Sequence, residues 1–133
     1  MSSDGKNASA KVMVIDDSQT IRRTAETLLA REGYSVITAS DGYEALGKIV
    51  DHHPDVIFID IMMPRLDGYQ VCALIKGNPS FSATPVIMLS SKDGVFDRAR
   101  GRIVGSDQYL TKPFTKDEIL AAVKTHAAKA GGP

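Results

Sequence analysis

The sequence predicts an α/β domain in which five parallel strands are covered by helices on both faces. Three observations carry that prediction. Short apolar runs alternate five times with amphipathic stretches, the pattern of repeated strand–helix units. The first, third and fourth runs are almost continuously apolar, as strands buried on both faces must be. At 133 residues the chain suits one domain with a core of its own and leaves little room for a second.

Taken in order, residues 1–10 are polar and small and are predicted to form a flexible tail before a domain spanning 11–127. VMVID (12–16) is the first strand. Ser18 is placed to cap a helix whose apolar positions Ile21, Ala25, Leu28 and Leu29 fall at i, i+4, i+7 and i+8, and Gly33 fits its C-terminal stop. YSVITA (34–39) is a more polar strand and so belongs nearer an edge. Ala45, Leu46, Ile49 and Val50 mark the helix after it. DVIFID (55–60) is the third strand, followed by the turn MMPRLDG and a short helix carrying Val71, Leu74 and Ile75 that GNPS ends. PVIMLS (85–90) is the fourth strand, with Pro85 tolerated at its first position. A helix is predicted over 95–104 between Gly94 and Gly105. DQYLT (107–111) is a short fifth strand, and Thr115 with Glu118 makes a capping box for a last helix bearing Ile119, Leu120 and Val123. The closing AKAGGP (128–133) is predicted to be a second flexible tail.

Composition narrows the function classes. Lys+Arg and Asp+Glu number 16 each, so no basic excess points to nucleic acid and function must lie in local constellations. The single cysteine, Cys72, excludes an internal disulfide and reads as a small core hydrophobe. No leader-like apolar segment or stretch of transmembrane length is present, which predicts a cytoplasmic protein with no membrane insertion. His52, His53 and His126 lack ligand spacing and are predicted to be solvated. Met62 and Met63 read as loop and core packing.

The polar residues that interrupt the apolar runs all fall at strand ends. Strand 1 ends in Asp16 and Asp17, strand 3 in Asp60 and strand 4 in Ser90, while strand 5 runs into Lys112 and Pro113. Ligands of open α/β sheets bind beyond the carboxyl ends of the strands. Each acid alone fits a helix cap or a loop bond, Lys112-Pro113-Phe114 alone fits a turn before a capped helix, and Tyr109 alone fits an edge-strand aromatic. Together they ask for more. Three carboxylates in one cleft repel by about 4 kcal/mol per close pair at the effective dielectric of a protein surface, and Lys112 supplies only one compensating charge. An oxygen-only set of this kind suits Mg²⁺. A carboxylate beside a metal, a Lys and a Ser hydroxyl has the parts to accept a phosphoryl group, and Asp60, standing alone on its strand, is the candidate nucleophile, with Asp16 and Asp17 paired to hold metal.

Asp16-Asp17-Ser18, DIMMPRLDG (60–68), LSS (89–91) and Lys112-Pro113-Phe114, in that order and spacing, resemble the receiver domain of two-component response regulators over residues 11 to about 126. IRRTAETLL, DIMMPRLDGYQ, TPVIMLSSKDG and GRIVGSDQYLTKPF resemble more narrowly the stand-alone regulators of type IV pilus chemosensory systems governing twitching motility. The resemblance implies a flavodoxin-like doubly wound sheet of order 2-1-3-4-5 with five helices. It implies that Asp60 takes a phosphoryl group from a chemosensory histidine kinase, that Asp16, Asp17, Asp60 and the backbone carbonyl of Met62 hold Mg²⁺, and that Lys112, across a cis bond to Pro113, pairs with the phosphoryl group. It further implies that Ser90 bonds that group and that Tyr109 changes rotamer with it. Ser91 stands where the family commonly has Ala. Met62 and Lys92 occupy variable positions that influence phosphoryl loss in the family. The implied protein is a monomer with only self-catalysed phosphotransfer and autodephosphorylation, and its output is the binding of a downstream pilus or motility protein.

Three rivals differ in class. An aspartyl-phosphate phosphatase or phosphotransferase would share the Asp nucleophile and Mg²⁺, but the residues after Asp60 are Ile61 and Met62, so the usual Asp-x-Asp pair is missing. A flavin-binding module needs amides, hydroxyls and Gly in its first loop, and DDSQT is acidic. A receiver-like binding module that is never phosphorylated has against it only that every site residue is present.

Overall fold

A computed structural model describes residues 10–91 and 95–131. In chain order the elements are β1 (Lys11–Ile15), α1 (Gln19–Arg31), β2 (Ser35–Ala39), α2 (Gly42–His52), β3 (Val56–Asp60), α3 (Gly68–Gly77), β4 (Val86–Ser90), α4 (Val95–Ile103), β5 (Gln108–Thr111) and α5 (Lys116–Gly131). The strands form one sheet of order β2-β1-β3-β4-β5, with every neighbouring pair parallel.

Successive strand residues point to opposite faces, so a strand buried on both sides feeds two cores. On one face Met13, Ile15, Ile57, Ile59 and Met88 pack against Ala45 and Ile49 of α2 and Val71, Cys72 and Ile75 of α3. On the other, Val12, Val14, Phe58, Ile87 and Leu89 pack against Ala25 and Leu29 of α1 and Ile119 and Val123 of α5. This is why β1, β3 and β4 read as unbroken apolar runs, whereas β2 and β5, at the edges, are only partly covered.

Local signals act as their chemistry requires. The Ser18 hydroxyl accepts from the Ile21 N–H at the start of α1, and Gly33 takes φ 92° just beyond its end. Thr115 and Glu118 exchange side-chain to backbone bonds of 3.1 and 2.8 Å ahead of α5. A second such box, Asp67 with Gln70, opens α3.

Some expectations change. Val50 and Leu74, assigned to the apolar faces of α2 and α3, are exposed. Met63 packs in the core as expected, but Met62 is exposed. His126 is not solvated: it is buried on α5 with its Nε2 2.7 Å from Oε1 of Gln108 on β5. Helix α5 continues to Gly131, past the expected domain boundary at 127, because AAKA keeps strong helix formers in register with the preceding turn. The expected tails otherwise fall on residues 1–9, 132 and 133, and Lys92 on 92–94, outside the described residues.

Candidate functional site

The parallel register brings the carboxyl ends of β1, β3, β4 and β5 to one edge, and the four-strand alignment fixes which residues meet there. Asp60 ends β3 opposite Leu89, and Ser90 ends β4 opposite Thr111. Asp16 is 0% exposed, Asp60 5% and Ser90 1%, while Asp17 next along the loop is open to solvent.

A buried carboxylate needs partners. Asp16 has two: its Oδ1 accepts from the Ser18 N–H at 2.9 Å and its Oδ2 from the Lys112 ammonium at 2.8 Å. The same ammonium reaches Oδ1 of Asp60 at 3.1 Å, and the Met62 N–H lies 3.4 Å from that oxygen. Lys112 follows β5, is joined to Pro113 by a cis peptide, and donates its own N–H to the Ser90 carbonyl at 2.7 Å, which ties the cation to the end of β4. The three acids' oxygens lie within 4.8 Å of one another.

Burial pushes the Asp60 carboxyl up to about 6, the neighbouring Asp16 charge pushes the same way, and Lys112 offsets only part of it. Burial pulls on Lys112 in the opposite sense, but its bonds and charge contacts with the two acids prevail and hold it above the usual ammonium value. The site is therefore short of positive charge. Three hard oxygen donors, one of them on an exposed acid, fit a divalent cation that keeps part of its water shell.

Tyr109 on β5 lies half-buried, with the Arg98 guanidinium 4.9 Å from its ring centroid. Asp16, Asp17, Asp60 and Lys112 are thus brought together, with Lys112 as the bridge between acids from two strands, while Ser90 and Tyr109 lie on the neighbouring strands. The supports of the site were not legible in the sequence. Arg22 donates to the Asp16 carbonyl at 2.7 Å from the first turn of α1, holding the acidic loop down. Gly68 leaves no room for a side chain: a Cβ there would stand 2.5 Å from the Asp60 carbonyl oxygen and 2.9 Å from the Ile61 Cα. A glycine directly after a capping Asp, in Asp67-Gly68, was the available signal of a tight loop, and Arg65, three residues before Gly68, takes φ 68°.

Residues 12–124 match the response regulator receiver domain family. The chain belongs to the response regulator receiver family. The receiver domain is 74% identical to Protein PilG of Pseudomonas aeruginosa over 116 residues, which cover 87% of this chain and 86% of that protein. It is 44% identical over 114 residues to the alkaline phosphatase synthesis transcriptional regulatory protein PhoP of Bacillus subtilis, covering 86% of this chain but 47% of that protein, so it spans about half the length of such regulators. Among solved structures it resembles the chemotaxis protein CheY4 of Vibrio cholerae, with TM-score 0.84 and 33% identity over 88% of this chain and 98% of that one. The strand order and five-helix arrangement are those expected of this receiver domain. The chain is a response regulator built on one receiver domain. Among the described residues, no helix is long and apolar enough to cross a membrane.

Proposed function

We propose that the receiver domain accepts a phosphoryl group on Asp60 from a histidine kinase and thereby changes the surface it offers to another protein. The observation that carries this reading is the Lys112 ammonium set between Asp16 and Asp60 at 2.8 and 3.1 Å, at the edge where all site strands end. An Asp60 oxygen attacks phosphorus, the bond from phosphorus to the donor's histidine nitrogen breaks, and that nitrogen keeps the electron pair. Asp16, Asp17, Asp60 and the Met62 carbonyl would hold Mg²⁺, which when bound supplies the positive charge that three acids and a phosphoryl group require. Lys112 exchanges its contact with the Asp60 carboxylate for one with the new phosphoryl oxygens. Ser90, at the end of β4, donates its hydroxyl to them, and Tyr109 turns with it. Hydrolysis by water at the same centre restores Asp60, so the protein's chemistry is confined to its own phosphorylation and dephosphorylation.

Phosphorylation replaces one negative charge by roughly two and adds acceptor oxygens. Coupling of that kind is typically worth about 1–3 kcal/mol, enough to bias partner choice without refolding the domain. The identity with Protein PilG and the motif strings support a chemosensory kinase upstream, a pilus or motility protein downstream and a monomeric cytoplasmic regulator of twitching motility.

The test is direct. With acetyl phosphate and Mg²⁺, intact-mass measurement should find one labile phosphoryl group on the wild type, none on Asp60→Asn and none with chelator. Absence of the adduct from the wild type, or its persistence in the variant, defeats the reading. Pulldown with both phosphorylation states tests the pathway, and equal recovery of every partner counts against a switch.

A further inference from the structure

Helix α4 is held against the domain by a contact set that the phosphoryl site does not use. Tyr69, the second residue of α3, is buried, and its phenol donates to the Asp97 carbonyl in the first turn of α4 at 3.0 Å. The Tyr109 phenol stands nearby and, after burial, adds to the rise of the Tyr69 hydroxyl to about 12. Each ring carries an arginine of α4: Arg100 lies 4.4 Å from the Tyr69 centroid and Arg98 4.9 Å from that of Tyr109. Arg100 also reaches the Asp67 carboxylate at 4.0 Å, on the loop that leads back to Asp60. Gly101 lets the end of the helix lie close to the following loop, since a Cβ there would stand 3.0 Å from the Ser106 hydroxyl oxygen. Beneath the arrangement runs a cleft of about 510 Å³, lined by Met62, Met63, Tyr69, Ser90, Asp97 and Arg100, which joins the phosphoryl edge to the foot of α4.

We infer that Tyr69 is a positioning residue for the switch, holding the first turn of α4, and with it the Arg98 guanidinium stacked on Tyr109, in the resting arrangement. The inference rests on the phosphorylation reading above and deepens it. For Tyr109 to turn with Ser90, its ring must leave the Arg98 guanidinium of α4, and α4 is itself tied to Tyr69 through Asp97 and Arg100. Release of Tyr109 and release of α4 are therefore one event. A switch with only a Ser–Tyr pair would leave α4 untouched by changes at Tyr69.

Two variants test this. Tyr69→Phe keeps the buried ring and removes the phenol's bond to the Asp97 carbonyl, and Arg100→Gln removes the guanidinium from the exposed side without entering the core. Each should raise the initial rate of phosphorylation by acetyl phosphate with Mg²⁺ by about fivefold, the effect of losing from the resting state one net hydrogen bond in the first variant and one cation–π contact in the second. In the unphosphorylated protein each should also speed amide exchange across residues 97–103 by a similar factor and leave β1 and β3 unchanged. Unaltered exchange in α4 and an unaltered rate in both variants would overturn the inference. So would protection lost evenly through the sheet at an unchanged rate, which would mark Tyr69 as packing alone. If the wild type takes no phosphoryl group, the receiver mechanism fails, and the exchange measurement still decides whether Tyr69 holds α4.

Discussion

Asp60 is held against its own preference. Its carboxyl is raised from 3.8 to about 6 by burial and by Asp16, so the folded protein binds that proton more tightly than the unfolded chain. The resulting stability is fully present below about pH 3.8 and is lost as pH rises through about 6. Asp60→Asn should therefore stabilise the metal-free protein at pH 7.5 by about 1–2 kcal/mol and hardly at all near pH 4, after allowance for solvent screening; urea titrations with chelator at both values measure the difference. Lys112→Met should act in the other direction. It leaves the fully buried Asp16 without its cation, and about 3 kcal/mol of stability should go with it, read from the same titrations. Residue identity was legible here because Asp and Lys at the ends of apolar strands are expensive to place and so stand out. Tyr69 was not legible, because a tyrosine opening a helix looks like any other core aromatic until its partners on α4 are placed beside it.

At the scale of elements, the strands declared themselves by composition and the helices by their caps. Interior strands bury both faces, which leaves no polar residue to blur the run, and Ser18, Thr115 and Glu118 sit where unpaired N–H groups need acceptors. Helix faces were less certain. Val50 and Leu74 lie on the solvent side of α2 and α3 because the sheet needs only a narrow stripe from each helix, and an apolar residue at the stripe's margin carries no mark of which way it turns. His126 misled for a related reason: its partner Gln108 belongs to another element. Two predictions belong at this scale. Gly68→Ala should cost several kcal/mol, about 3 or more, since the new methyl meets backbone atoms of Asp60 and Ile61 that cannot move without displacing β3; thermal unfolding checks it. Glu44 accepts from the N–H and hydroxyl of Ser40 and pairs with Lys48, and the Ser40 backbone bond first of all brings its carboxyl down to about 2. Its contribution is present above the ordinary carboxylate range and is lost as pH falls from about 4.5 toward 2, so amides 43–45 at the start of α2 should lose exchange protection over that interval, and Glu44→Gln should abolish the dependence.

For the whole molecule, the charge deficit at the sheet edge predicts that Mg²⁺ stabilises the fold. At ten times its dissociation constant the ion should add about 1.4 kcal/mol, with less effect below pH 6, where Asp60 gains its proton; a melting series in Mg²⁺ at pH 5 and 7.5 measures it, and Asp16→Asn should flatten the response. Topology was legible in the alternation of strands and helices, while the order of the strands came through the family pattern, since periodicity carries no information about which strand lies beside which. The long reach of the Lys112 contacts has a further consequence. Lysine and the first acid meet across 96 residues of chain, and the second across 52. Nothing shorter than the folded whole assembles them: until β5 docks against β4, Asp16 and Asp60 face each other with no cation between. A chain clipped before β5 would therefore keep both acids and lose the ammonium that joins them, so the site belongs to the intact fold and to no fragment of it.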